Sequence, residues 1–479
     1  MKIDFTKSWM NKWSISGLFV IFILILIHFS AKAYRSINNE SLLLGEYIAY
    51  AGGDTEGYIG PIEQYIETGV YKVDSSDAKS IGRGPYYGIY YWVFRQFLSI
   101  PQSFDAVAIV QILWFVIAVI LLMLMVEPYI KYKLLVWIIP ITIIILQLGF
   151  GFVSRIITDS LATSQLICFA YFYVRFNKDN KLYDLGLSAL FLAMASVMKP
   201  YLLPIYAICF FDWAISNTVF DIKRWAKYVA IMSIPLIIIC LPFTIRNAVK
   251  LHVFAPMQNS GNAGAKPDPV NSEMRRMVRT WGEDHTEWGG FGTYFMPCEG
   301  VEYTGDIPSH IYTTDYNEKD IESLAIQLRA YDQMEEGTEK DSIGAELISI
   351  MKHYRESYMS DHPLWRVHAS LRQLGFLVLP STSFYINHRH NGIRHYISNS
   401  LTLLKLLYHW ILFIIGILGL LYVLIKNKNL RIISLVTLYI VLLFTILMAG
   451  ESRFYLIGQF YETVGLVAII NALLLKCIR

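Results

Sequence analysis

Long apolar runs alternate with short polar loops along most of the chain. A helix needs roughly 20 predominantly apolar residues to cross the hydrocarbon core of a bilayer. The first run covers residues 15–29, and further runs fall at 103–126, 134–151, 159–175, 183–198, 201–216 and 228–245. After a long polar insert come 400–425, 431–449 and 455–475. About ten spanning helices are therefore expected. The fold class that follows is an all-α polytopic membrane protein.

Between the first and second runs the pattern changes. Tyr58, Ile59, Ile62, Tyr65 and Ile66 recur at helical spacing beside Glu63 and Glu67, which predicts an amphipathic helix lying on the membrane surface. The aromatic stretch after Arg83-Gly84-Pro85-Tyr86-Tyr87, through Leu98, is short for a span and predicts a second interfacial helix. The insert, 246–400, opens on a turn-rich stretch at Gln258–Gly264 and has helical periodicity over 318–335 and 342–360. Three parts result: residues 1–245, with helices 1–7 and a first outer loop over 34–102; a large extracytoplasmic loop over 246–400, between helices 7 and 8; and residues 401–479, with helices 8–10. A loop of that length inside a compact protein usually has a function, here a cap over the membrane site.

Composition agrees: 55% of residues are hydrophobic, 16% are charged and the mean hydropathy is +0.42, too apolar for a soluble chain of 479 residues. The net charge of +3 argues against nucleic acid. Cys168, Cys209 and Cys240 fall inside apolar runs, Cys477 lies at the C-terminal end, and only Cys298 lies in the insert, so no disulfide framework is expected. The histidines His388, His390 and His395 cluster without a carboxylate or cysteine at ligand spacing and read as interfacial.

The basic residues report orientation. Lys131/Lys133, Arg175/Lys178/Lys181, Lys223/Arg224/Lys227, Lys426/Lys428/Arg431 and Lys476/Arg479 share a side with the lysine-bearing N-terminus, which makes that side cytoplasmic. Both termini are then inside. Ala31-Lys32-Ala33 resembles a signal-peptidase site, but a retained first helix fits the membrane protein that follows. The same topology carries Asp54, Arg83, Asp159, Lys199, Arg246, Glu451 and Arg453 to the outer face. The spans hold no charge near mid-depth, Asp105 and Glu462 standing near ends, which argues against an ion-coupled transporter.

Gly52-Gly53-Asp54-Thr55-Glu56-Gly57-Tyr58 leaves two carboxylates on a turn where backbone comes close to a ligand. The ordinary reading is a solvated turn. Asp159 in Thr158-Asp159-Ser160 opens a run and serves by default as an N-cap. Lys199 before Pro200 and Arg246 after Pro242 stand at run ends, where a snorkelling anchor is the default, as it is for Arg83. Glu451 and Arg453 by default form a local ion pair. Their convergence on one face is the signal. Carboxylates beside cations at headgroup depth suit a lipid-borne sugar phosphate, whose phosphate needs cations and whose acceptor hydroxyl needs a base.

In this order the motifs resemble the GT-C glycosyltransferases, in the subgroup of protein O-mannosyltransferases and lipid A aminoarabinose transferases. They are Gly53-Asp54-Thr55-Glu56-Gly57-Tyr58, Arg83-Gly84-Pro85-Tyr86, Asp159, Lys199-Pro200, Arg246-Asn247 with Ala255-Pro256, and Gly450-Glu451-Ser452-Arg453-Phe454-Tyr455. The resemblance implies inverting transfer of a sugar from a polyprenyl-phosphate donor to a lipid, glycan or protein acceptor at the outer face of the plasma (inner) membrane. It makes Asp54 and Asp159 the catalytic acids, with Glu56 the other candidate base. Arg83, Lys199 and Arg246 become donor-phosphate contacts, and Tyr58, Tyr86, Glu451 and Arg453 further substrate contacts. A divalent metal bridging Asp54 and Asp159 stays open, as does the choice between Asp54 and Glu56. Thr55 separates those two acids where many relatives have adjacent ones. The alternatives are a polymerase or ligase of polyprenyl-pyrophosphate glycans, working through Arg389, Arg394 and the nearby histidines, or a lipid or sugar transporter.

Overall fold

The computed structural model describes residues 12–52, 54–71, 84–216, 221–252, 254, 256, 269–281, 294–295, 307–335, 337–378, 393–447 and 455–477. The protein is all-α and multi-pass. Among the described residues there is no strand beyond two isolated bridges, Leu43 with Tyr50 and Tyr50 with Arg155. Sixteen α-helices follow in chain order: α1 Lys12–Arg35, α2 Thr55–Thr68, α3 Gly88–Arg95, α4 Ile100–Val126, α5 Ile138–Leu146, α6 Asp159–Asp179, α7 Leu182–Met198, α8 Ile205–Ser216, α9 Ile222–Leu251, α10 Pro269–Thr280, α11 Glu318–Asp332, α12 Thr338–Asp361, α13 Trp365–Val378, α14 Ile393–Lys426, α15 Arg431–Leu447 and α16 Leu456–Cys477.

A helix occupies each apolar run. Among the described residues five are long and apolar enough to cross a membrane: Trp13–Arg35, Ile100–Tyr129, Ile222–Lys250, Ser400–Lys426 and Leu456–Cys477. Lys133–Leu146, Leu182–Met198, Pro200–Ser216 and Arg431–Ile446 are apolar but shorter. The run expected as one span over 134–151 is a 3₁₀ turn, Lys133–Trp137, leading into α5. That helix stops because Gln147 (φ 53°) and Gly149 (φ 77°) take the left-handed conformation.

The chain divides into two compact units. The first comprises residues 1–265, 389–438 and 456–479. Its tightest contact is between α14 and α16, where small residues let backbones meet. A Cβ on Gly419 would lie 1.9 Å from the Gly465 carbonyl oxygen, and one on Gly465 2.0 Å from that of Gly416. No larger residue fits there. At one end of this unit Asp212, fully buried, accepts from Tyr173 Oη (3.0 Å) and Asn177 Nδ2 (3.4 Å) and faces Arg431 Nε at 3.4 Å.

The second unit comprises residues 266–388 and 439–455. Helices α10 to α13 close a core of Met274, Met277, Trp281, Leu328, Met351 and Tyr354. Trp281 Nε1 donates to Tyr354 Oη at 2.9 Å, and Tyr354 Oη donates to the Ile311 carbonyl. Glu273, 3% exposed, lies between Arg355 (2.8 Å) and Arg276 (3.2 Å). Helices α11 and α12 match the expected periodic stretches; α10 and α13 were not anticipated.

Candidate functional site

The site is built on the loop before α2 and the loop before α6. Asp105, on the second turn of α4, fixes the first. Its Oδ2 accepts the backbone N–H groups of Glu46 (2.9 Å) and Tyr47 (3.0 Å), and its Oδ1 those of Ile48 (3.1 Å) and Ala49 (2.9 Å). Four charge-assisted bonds to one carboxylate hold the turn rigidly. Gln111, two turns along the same helix, fixes the second loop. Its Nε2 donates to the carbonyls of Val153 (3.3 Å) and Arg155 (2.9 Å), and its Oε1 accepts from Tyr87 Oη (3.4 Å).

The two loops are then joined to each other. Tyr50 N donates to the Ser154 carbonyl (3.2 Å) and Ile156 N to the Tyr50 carbonyl (3.1 Å). Thr55 Oγ1 donates to the Ile156 carbonyl (2.9 Å) while accepting from Gly52 N (2.7 Å). Gly52 has no room for a side chain, because a Cβ there would lie 2.7 Å from Ile157 Cγ2. Tyr58 Oη and Thr158 Oγ1 are hydrogen-bonded at 3.2 Å. One turn of α2 is thereby fixed against the start of α6, so the acids that head these helices belong to one assembly.

Asp54 occupies the N-cap position of α2, is half-buried and makes no side-chain cap bond to its own helix. Glu56, in the first turn, is exposed. Asp159 is the first residue of α6 rather than its cap; Thr158 takes the cap position without a side-chain bond. Asp159 is 3% exposed and its Oδ1 accepts from Lys199 Nζ at 2.9 Å. Lys199, 7% exposed, is delivered by the end of α7, which its own N–H closes on the Ala195 carbonyl before Pro200 turns the chain away. Asp159 Oδ2 is buried without a hydrogen-bond partner among the described residues. The carboxylate therefore has one committed oxygen and one open one.

Arg246 lies inside α9, which runs on past the expected end at residue 245. Its guanidinium stacks over Tyr71 (4.7 Å) and Phe243 (5.5 Å). Phe243 packs edge-on against Tyr86 (5.9 Å), and these two share a cluster with Val197, two residues before Lys199. Tyr86 Oη also donates to the Pro256 carbonyl (3.1 Å). Burial pushes the Tyr71 hydroxyl up to about 12, against the pull of Arg246. Tyr87 rises further, through burial first and then through Tyr58 and Asp159. Both phenols stay protonated, and Tyr87 donates to Gln111.

The structure thus gathers Tyr58, Asp159 and Lys199 with the helix that Asp54 heads, and links Arg246 to Tyr86. Arg83, Glu451 and Arg453 lie outside the described residues, as do Gly53, Cys298, His388, Arg389, His390 and the Gln258–Gly264 stretch. Arg394 and His395 fall where only the backbone of α14 is described. Among the described residues no three His, Cys, Asp or Glu side chains gather as a metal-ligand set, and Lys199 already gives Asp159 a cation. No step below passes through a metal.

Sequence reasoning missed Arg155. It is half-buried and its guanidinium lies over Tyr50 (5.7 Å) and Phe152 (5.9 Å). A signal was present, since an arginine between the third and fourth runs stands on the side where basic residues are scarce. No protein-family model matches the chain, and no curated protein matches it in sequence.

Proposed function

We propose that the chain is an integral-membrane inverting glycosyltransferase that moves a sugar from a polyprenyl-phosphate donor to an acceptor hydroxyl at the extracytoplasmic face. In this reading the shorter apolar helices also cross, giving about ten spans in a GT-C-like arrangement with both termini cytoplasmic. The observation that carries it is the joined pair of loops. A half-buried acid heads α2, and a second acid, held by a buried lysine, heads the helix fixed beside it.

The chemistry needs little more. Asp54 takes the proton of the acceptor hydroxyl, whose oxygen forms a bond to the anomeric carbon from the face opposite the phosphate. The bond from that carbon to the phosphate oxygen breaks, and the electron pair leaves with the lipid phosphate. Lys199 and Arg246 stabilise the charge that grows there. Asp54 is preferred to Glu56 as the base because Glu56 is exposed, whereas Asp54 is partly withdrawn from water. Asp159 holds Lys199 in position and offers Oδ2 to a donor hydroxyl of the sugar.

The test is purified protein in lipid with a panel of radiolabelled polyprenyl-phosphate monosaccharides, wild type beside Asp54→Asn. Donor consumption that the variant lacks supports the reading and identifies the sugar. Equal consumption by both removes Asp54 from the mechanism, and no consumption of any donor by the wild type removes the activity.

A further inference from the structure

Among the described residues, buried polar atoms without a hydrogen-bond partner concentrate in one short segment. Ser154 Oγ, Arg155 Nε, Asp159 Oδ2, Ser160 Oγ and Gln165 Oε1 all fall between residues 154 and 165. Leaving such atoms unbonded is unfavourable, the more so for charged groups. A cluster of them is unexpected in a segment that its backbone bonds hold so firmly.

Arg155 is the charged donor of the set. Its ring contacts with Tyr50 and Phe152 support the guanidinium plane but provide no counter-charge. No carboxylate pairs with it among the described residues, whereas Arg95, Arg175, Arg276, Arg355 and Arg431 each lie against one. Its carbonyl is fixed by Gln111 at 2.9 Å and its neighbours by Tyr50, so the side chain has a defined origin. In the orientation proposed above it stands at the extracytoplasmic end of the helices, where the bias for basic loops does not operate. Four residues later Asp159 Oδ2 is an open acceptor. One segment thus offers a cationic donor and an anionic acceptor, the complement of a ligand that carries a phosphate beside hydroxyl groups.

We propose that Arg155 binds the phosphate of the lipid donor. This rests on the glycosyltransferase reading for the ligand's identity, and it adds a phosphate contact that the motifs did not contain. Lys199 is matched by Asp159 before any donor arrives; Arg155 brings a positive charge that pairs with no carboxylate among the described residues.

The test is run on the full chain in nanodiscs with ligands that contain no sugar: polyprenyl phosphate, the corresponding polyprenol, and inorganic phosphate. Phenylglyoxal modification of Arg155, followed by peptide mass spectrometry, needs no variant. Polyprenyl phosphate is expected to slow labelling at this residue about tenfold, while polyprenol leaves it unchanged. In direct binding, Arg155→Gln is expected to weaken polyprenyl phosphate by about 10- to 100-fold without affecting polyprenol, and Arg155→Lys to recover part of the loss. Equal labelling with both lipids overturns the proposal. Protection by inorganic phosphate at the concentration at which the lipid protects assigns the site to free phosphate and also overturns it. Since no arm contains a sugar, protection in a protein that consumes no glycosyl donor retains Arg155 and discards the transferase. Transfer with no protection does the reverse.

Discussion

Two buried acid–base pairs in the helical unit solve the same problem differently. Asp212 has both oxygens answered: Tyr173 and Asn177 donate to one, and the Arg431 guanidinium lies 3.4 Å from the other as an ion pair without a hydrogen bond. Asp159 is half-answered, with Lys199 on one oxygen at 2.9 Å and the other open. A buried carboxylate with donors on one oxygen and a counter-charge facing the other fixes a structure, whereas one with an oxygen that faces neither leaves a desolvated group ready for something that arrives. The neighbourhoods differ too, because Asp159 lies four residues from Arg155, which pairs with no carboxylate among the described residues.

Substitutions can separate the two cases. The largest effect is expected at the acid that heads α2: Asp54→Asn should lower donor consumption by about 10³-fold or more, with normal membrane insertion, in the labelled-donor assay. Next comes the open pair. Removing either partner of a buried pair costs roughly 3–5 kcal/mol, so Lys199→Met and Asp159→Asn alone should each lower thermal stability. The double variant should regain much of that stability and yet remain inactive in the same assay. A double variant with restored turnover would make the pair merely structural.

The matched pair should behave oppositely. Asp212→Asn with Arg431→Met should shift the melting temperature by less than either single change, and turnover per folded molecule should stay within about twofold of wild type. An inactive double variant would break the contrast between the pairs.

The smallest effect belongs to an acid at the opposite extreme, Asp361 on the surface of the second unit. The Thr314 backbone N–H and hydroxyl, at 2.6 and 2.9 Å, hold its carboxyl below the usual carboxylate range. A depressed acid contributes stability in full above its unfolded value of about 4 and loses it as pH falls through the folded one. Between pH 5 and pH 3 the melting temperature should therefore fall slightly more in wild type than in Asp361→Asn.

The all-α class, the position of a helix in every apolar run and the helix near Tyr58 were legible because 3.6-residue periodicity and apolar run length are local properties. So were the acids and Lys199 as individual candidates. The association of Asp159 with Lys199 was not legible as a contact, since it joins residues 40 apart. Asp105 and Gln111 carried no local mark of their roles, because their partners are backbone groups of distant loops. The early stop of α5 depends on left-handed Gln147, a residue with no strong preference for that conformation. Helix α13 was missed because its apolar residues are divided between a buried side at Ala369 and Leu377 and an exposed side at Val367 and Leu371.

The four bonds to Asp105 also impose an order on biogenesis. The turn at residues 46–49 waits for a partner made 56 to 59 residues later. During synthesis the turn cannot make these bonds until Asp105 has been added. Thr55 then waits a further stretch for Ile156, and Asp159 another 40 residues for Lys199. The contacts that hold the loop before α2 are thus complete only once residue 156 has been made, and the acid that opens α6 gains its cation only with residue 199.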